Sequence, residues 1–267
     1  MAAVVYENMS NDDYHGDKAS ISRSGIVEFM RSPFHYWNTY LNPDRPVKEP
    51  TEAVIFGSAF HMMILEPHLF VEQYAIRPEG INRTTTKGKL AYAEFEIEAK
   101  GKTIIKHEQF ELLKNMQRSI QSHQQAWDLI ENARYELSYF WKDENSGVLC
   151  KARPDILHSN MIVDLKTIAD ASPKSFQKAM ISHCYHLQGA MQIDGVYHCS
   201  NVKIDDFICM CVEKTYPFAV GIYLIEKEAI ERGRIKYKEI LLDIKIALAH
   251  NHFPSYETQI VGLPSWA

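Results

Sequence analysis

A chain of 267 residues, 46% hydrophobic and 24% charged, can bury a substantial core, and none of it is polar and biased enough to read as disordered. Its formal net charge of -5 gives no global attraction to nucleic acid, so any such contact needs a local basic patch or cations held on carboxylates. No apolar run approaches a membrane span, no basic segment followed by an apolar run opens the chain, and five cysteines without a CxxC pair argue against a disulfide framework; the expectation is a soluble, cytoplasmic protein with reduced, mostly buried thiols.

Between Ser20 and Tyr40 a serine cap precedes Ile26, Val27, Phe29 and Met30, and Ser32-Pro33 stops or kinks the helix so begun. Ala53 to Leu65 reads as a second, largely buried helix ended by Pro67. Pro78 to Lys89, with Arg83, Lys87 and Lys89 among Thr and Gly, reads as an exposed loop. Glu108 to Ile130 is apolar at helical spacing through Phe110, Leu112, Leu113, Met116 and Ile120. The pattern then changes to strands over Tyr135 to Trp141, Val148 to Leu157 and Met161 to Ile168, joined by short turns as an antiparallel meander. Helices opening near Pro173 and His183 follow, then strands over Asp206 to Glu213 and Ala219 to Ile225, and a long amphipathic helix from Glu226 to His250. No repeat or Gly/Ser linker divides the chain, so residues 1–267 are expected to form one α/β domain. Its first 130 residues would be mainly helical, and residues 131–267 would carry a central mixed sheet and the C-terminal helix.

The chemistry-bearing residues cluster in the meander. Arg153-Pro154-Asp155 is followed nine residues later by Asp164-Leu165-Lys166, so two aspartates and a lysine interrupt otherwise apolar strands. Residues two apart on a strand share a face, so Asp164 and Lys166 project together while Leu165 packs on the other side. Charges buried without partners cost several kcal/mol each, roughly what a metal, a substrate or an ion pair must offset. Phosphodiester hydrolysis needs oxygen ligands for a hard cation, a water of lowered pKa and a positive group near the developing charge. Asp155, Asp164 and Lys166 are of the types required, and the backbone carbonyl of Leu165 is a further candidate ligand. Taken alone, an Asp-x-Lys on a strand reads first as a same-face ion pair and His61 on an apolar helix as a satisfied core histidine; Arg-Pro-Asp upstream and the spacing of Gly57 to His61 turn both toward a site.

Pro-Asp, a spacer and Asp/Glu-x-Lys together resemble the PD-(D/E)xK nuclease superfamily. Gly57-Ser58-Ala59-Phe60-His61 resembles the Gly-x-x-x-His motif of its RecB-like branch. Ser20-Ile21-Ser22-Arg23-Ser24 with Ser32-Pro33-Phe34, and Gln188 in His186-Leu187-Gln188-Gly189-Ala190, are similar to that branch as well. Within it the chain resembles the nuclease domain of RecE-type exodeoxyribonuclease VIII over nearly its whole length, from Asn11-Asp12-Asp13-Tyr14-His15 through Asn82-Arg83 to Leu263-Pro264-Ser265-Trp266.

That resemblance implies a central mixed sheet flanked by helices, with an N-terminal helical elaboration. It also implies a magnesium-dependent, ATP-independent 5′ to 3′ exonuclease on double-stranded DNA ends, with manganese able to substitute. The products would be 3′ overhangs for a RecT-type annealing protein, and the assembly a toroidal homo-oligomer, a tetramer. His61, Asp155, Asp164 and the Leu165 carbonyl would hold the metal, Lys166 would be the catalytic lysine, and Gln188, with Tyr185 nearby, would support the site or touch the strand. Glu136, assigned to the first meander strand, is a site neighbour or a solvated carboxylate. Arg83, Lys87 and Lys89 would grip backbone or a terminal phosphate. Two departures stand out: Gln192 occupies a position where that branch often carries Tyr, and the absence of cysteine before Cys150 leads to an expectation of no iron-sulfur cluster. An endonuclease or repair nuclease of the same superfamily, and a DNA-binding protein without turnover, are the alternatives.

Overall fold

The computed structural model describes residues 3–46, 49–81 and 84–263; Asn82, Arg83 and the terminal Pro264-Ser265-Trp266 lie outside the described residues. The chain begins with β1 (Val4–Tyr6), α1 (Asn11–Gly16), α2 (Arg23–Arg31) and α3 (Pro33–Tyr36), which runs into a π-helical turn over Trp37–Leu41. Next come α4 (Glu52–Leu65), α5 (Pro67–Gln73), β2 (Tyr74–Ile76), α6 (Thr86–Glu98), β3 (Thr103–Ile105), α7 (His107–Ser122) and α8 (Gln124–Asp128). The second half holds β4 (Arg134–Tyr135), β5 (Ser138–Lys142), β6 (Leu149–Ala152), β7 (Ile156–Leu157) and β8 (Met161–Ile168). It continues through α9 (Pro173–Ser182), α10 (Tyr185–Ser200), β9 (Asp206–Glu213), β10 (Val220–Leu224) and α11 (Lys227–His250).

Local chemistry explains several boundaries. Ser32 ends α2 and caps α3, its hydroxyl accepting from the His35 N–H while Pro33 occupies the first helical position, where a missing N–H costs nothing. Thr51 caps α4 in the same way. Pro67 stops α4 and starts α5. Two expected segments differ. The loop drawn to Lys89 ends at Thr85, whose hydroxyl accepts from the Gly88 N–H, so Lys87 and Lys89 ride on the exposed first turn of α6. The helix drawn from Glu108 to Ile130 breaks at His123, whose ring accepts from the Ala126 N–H and caps α8.

A five-stranded mixed sheet, ordered β10-β9-β8-β7-β4, forms the centre. Its middle pair, β8 and β9, is parallel and needs a crossover, which α9 and α10 supply; the other pairs are antiparallel. On one face Phe207, Cys209 and Cys211 pack under α2, α10 and α11. On the other, Val163, Leu165, Met210 and Val212 pack against Phe60 and Met63 of α4 and Leu113, Met116 and Ile120 of α7. The alternation read from sequence is thus realised, with Leu165 fully buried on the α4 side and Asp164 on the α10 side.

The expected continuous meander is instead split. β5 pairs with β1 on one side and β6 on the other in a separate three-stranded sheet, while β4 and β7 belong to the central one. The chain changes sheets at two places, Glu136-Leu137 and Arg153-Pro154-Asp155. Glu136 therefore stands in a bend between two strands, with a left-handed backbone (φ 52), and not on a strand as expected. Extending the register of Ile156 with Val163 would set Pro154 opposite Leu165, and proline has no N–H to continue the ladder. The parting of the two sheets at this point creates the site.

Candidate metal and active centre

Because β7 leaves the ladder, the Leu165 N–H lacks a strand partner there, and the Asp155 carboxylate fills that place, accepting from it at 2.7 Å. The Glu136 N–H, in turn, donates to the Asp155 carbonyl at 3.2 Å. Asp155 is thereby fixed by its own main chain and by β8. On its open side the same carboxylate oxygen lies 3.5 Å from Nδ1 of His61, which α4 brings in on its half-buried face.

Asp164 is 0% exposed. One of its oxygens accepts from the Gln188 amide of α10 at 2.6 Å, and the other lies 2.5 Å from Lys166 Nζ. Burial raises the Asp164 carboxyl above the ordinary aspartate range, and the Lys166 charge opposes that rise. Burial alone would lower the Lys166 amine, but the charges of Asp164 and Asp155 outweigh it and hold it above the usual lysine range. While Asp164 holds it, Lys166 is an ammonium, a donor and a positive charge. Tyr185 lies against the lysine, its ring centroid 5.1 Å from Nζ, and His183 stacks on Tyr185 at 5.5 Å.

Among the described residues, His61, Glu136 and Asp155 are the group whose ligand atoms converge, all within 4.8 Å of one another. The Glu136 carboxylate has no hydrogen-bond or salt-bridge partner among the described residues, and burial followed by the Asp155 charge pushes its pKa well above the glutamate range. One imidazole nitrogen with carboxylate oxygens is a donor set for magnesium or manganese, and an unpaired carboxylate aimed at a second one is a state that a cation relieves. The residues present fit a hard divalent ion. Asp164 adjoins this trio through Asp155 but is itself engaged by Lys166 and Gln188.

All of this opens on a cleft of about 810 Å³ lined by His61, Glu136, Asp155, Lys166 and Gln188 and, farther along, by the N-terminal segment. Of the expected phosphate-gripping residues, Arg83 lies outside the described residues, and Lys87 and Lys89 do not line the cleft. Sequence reasoning missed three supports. Gln192, noted only as a departure, is buried and donates to the Arg153 carbonyl at 3.3 Å, steadying the strand just before Pro154. Arg153 donates to Ser138, Asn11 and the Met9 carbonyl and lies over the Tyr14 ring, while buried Lys151 donates to the Asp17 carbonyl at 2.6 Å. Together they clamp α1 to the strands that present Asp155. A lone Arg-Pro-Asp carries no signal for that clamp, since its partners on the N-terminal segment lie more than 130 residues away. The five cysteines are free thiols, with Cys150, Cys209 and Cys211 buried. Among the described residues no helix is long and apolar enough to cross a membrane.

Comparison with known proteins follows the same lines. Residues 22–261 match the family model described as a PDDEXK-like domain of unknown function, DUF3799. The chain belongs to that family. Its fold is shared with a crystal structure described as a "Putative exonuclease" from Eubacterium rectale, at a TM-score of 0.62 and 14% identity, covering 95% of this chain and 96% of that one. An alkaline exonuclease, LHK-Exo, from Laribacter hongkongensis also matches, at 13% identity over 64% of this chain and 86% of its own, but its TM-score of 0.30 carries no weight. No curated protein matches the sequence. Membership of a PDDEXK-like family supports a nuclease enzyme, and the trio of His61, Glu136 and Asp155 is consistent with the divalent metal such nucleases use.

Proposed function

We propose that the protein is a divalent-metal-dependent, ATP-independent exonuclease that degrades one strand of double-stranded DNA from its 5′ ends, leaving 3′ overhangs for a strand-annealing partner of the RecT type. The observation that carries the chemistry is the convergence of His61, Glu136 and Asp155 beside the Asp164–Lys166 pair in an open cleft. The RecE-type resemblance of the sequence carries the polarity, the partner and the toroidal, tetrameric assembly.

His61, Glu136 and Asp155 would hold magnesium or manganese, with Asp164 and the Leu165 carbonyl adjoining. A bound ion supplies positive charge to the scissile phosphate and lowers the pKa of a water. The chain's own groups do the remainder. The Leu165 N–H keeps one Asp155 oxygen directed along β8, and Gln188 keeps Asp164 turned toward Lys166. Lys166, held as an ammonium, donates to the attacking water or a phosphate oxygen and opposes the charge that develops in the transition state. Tyr185, packed on that ammonium, limits its movement.

The test is digestion of linear duplex DNA labelled at its 5′ or 3′ end, with magnesium or with EDTA, by the wild type and by Asp164→Ala, with closed circular duplex as control. Magnesium-dependent loss from 5′ ends, with circles spared and the variant inactive, is the expected result. Cut circles would convert the reading to an endonuclease, and no cleavage by the wild type would leave a DNA-binding module.

A further inference from the structure

Among the described residues, five cationic side chains line the cleft: Lys18, Arg23, Lys151, Arg153 and Lys166. Four are committed within the molecule. Lys18 donates to the His15 carbonyl at 2.6 Å and Lys151 to the Asp17 carbonyl at 2.6 Å, Arg153 grips Ser138 and Asn11, and Lys166 pairs with Asp164. Arg23 has no hydrogen-bond or salt-bridge partner among the described residues, and its Nε is shielded from solvent with no acceptor in reach. A guanidinium donor removed from water without an acceptor is unfavourable, and in a cleft it calls for an anionic ligand. Arg23 opens α2, where the Ser22 hydroxyl makes no capping bond, so the first-turn N–H groups add a partial positive charge on the same side.

From this we infer that Arg23 is the phosphate-binding residue of the cleft, gripping a phosphate of the substrate strand away from the phosphate at the carboxylates. The inference rests on the nuclease reading and adds a second point of hold to it. The guanidinium fork matches two phosphate oxygens at once, and its terminal nitrogens, which no group among the described residues engages, are the donors open to a phosphate in the cleft. The cleft then offers both carboxylates for a cation and a free guanidinium for an anion. That arrangement suits a polyanionic strand crossing it and replaces the expected grip by Lys87 and Lys89, which lie off the cleft. Either a backbone diester or the monoester at a 5′ end has the required chemistry.

The test is binding of short fluorescent duplexes, ending in a 5′-phosphate or a 5′-hydroxyl, to the full chain in calcium at several salt concentrations. Wild type, Arg23→Gln, Arg23→Lys and the distant surface variant Lys236→Gln are compared, each with a thermal melt. Arg23→Gln should bind about tenfold more weakly, with a salt slope smaller by about one, while Lys236→Gln matches the wild type. Arg23→Lys should keep the slope and lose part of the affinity, because it keeps the charge and loses the fork. A loss confined to 5′-phosphorylated duplex assigns the monoester, and an equal loss on both assigns a diester. Unchanged affinity and slope in a folded Arg23→Gln would overturn the inference; if that variant does not fold, Arg23→Lys binding as tightly as wild type would do so. A wild type that binds neither duplex would instead remove the nuclease reading itself.

Discussion

Gly57 separates a requirement of the fold from a requirement of the substrate. It lies in the interior of α4, one turn before His61 and on the same side, and it lines the cleft. A Cβ built there meets nothing within 4 Å. Glycine in a helix interior costs about 0.5–1 kcal/mol relative to alanine, through the extra freedom it loses on folding. Gly57→Ala should therefore stabilise the protein by about that amount. At about 2–4 °C per kcal/mol for a domain near this size, Tm should rise by about 1–4 °C. The same methyl group would stand where a strand must pass to reach the carboxylates, so cleavage of duplex DNA should fall about tenfold or more, a loss consistent with small displacements of a reacting phosphate. Calorimetry and steady-state cleavage on one preparation read both effects. A variant that is less stable than wild type would refute the open-space argument, and one that is more stable and equally active would refute the claim that the strand passes over Gly57.

Two further outcomes follow from packing and charge. Gly233→Ala on α11 would place a Cβ 2.5 Å from the His186 carbonyl oxygen and 2.8 Å from the Leu187 Cα, both backbone atoms of α10 that cannot rotate away. Overpacking of about 1–3 kcal/mol outweighs the helix-propensity gain, so urea unfolding should show lower stability, and because the displaced turn carries Gln188, the residual activity should fall as well. For Glu136, the metal-free folded state holds the carboxyl well above its ordinary pKa, so stability is full below the ordinary glutamate range and is lost as pH rises through the raised value. Metal-free Glu136→Gln should thus melt higher than wild type at pH 8 but not near pH 4, and should gain less Tm from added manganese; equal melts at pH 8 would count against the unpaired carboxylate.

Much of the architecture was legible from local pattern. The periodicity of α4, α7 and α11, the alternation along β8 and β9 and the proline punctuation at Pro33, Pro67 and Pro173 are short-range signals, and the elements lie close to where those signals set them. Asp155, Asp164 and Lys166 were legible for the same reason, since charges inside apolar strands need partners whatever surrounds them. The parting of the meander into two sheets was not legible, because residues 148–157 carry one continuous strand signal and only the tertiary choice of partner, β5 for its first part and β8 for its last, divides it. Glu136 joining His61 and Asp155, the Tyr14 clamp and the uncommitted Arg23 depend on contacts between segments far apart in sequence. Sequence by itself determined which residue types could do the chemistry and on which face of each element they lie. Tertiary structure alone decided which of them meet, because a buried carboxylate or guanidinium acquires its role from the partners that packing brings to it or withholds.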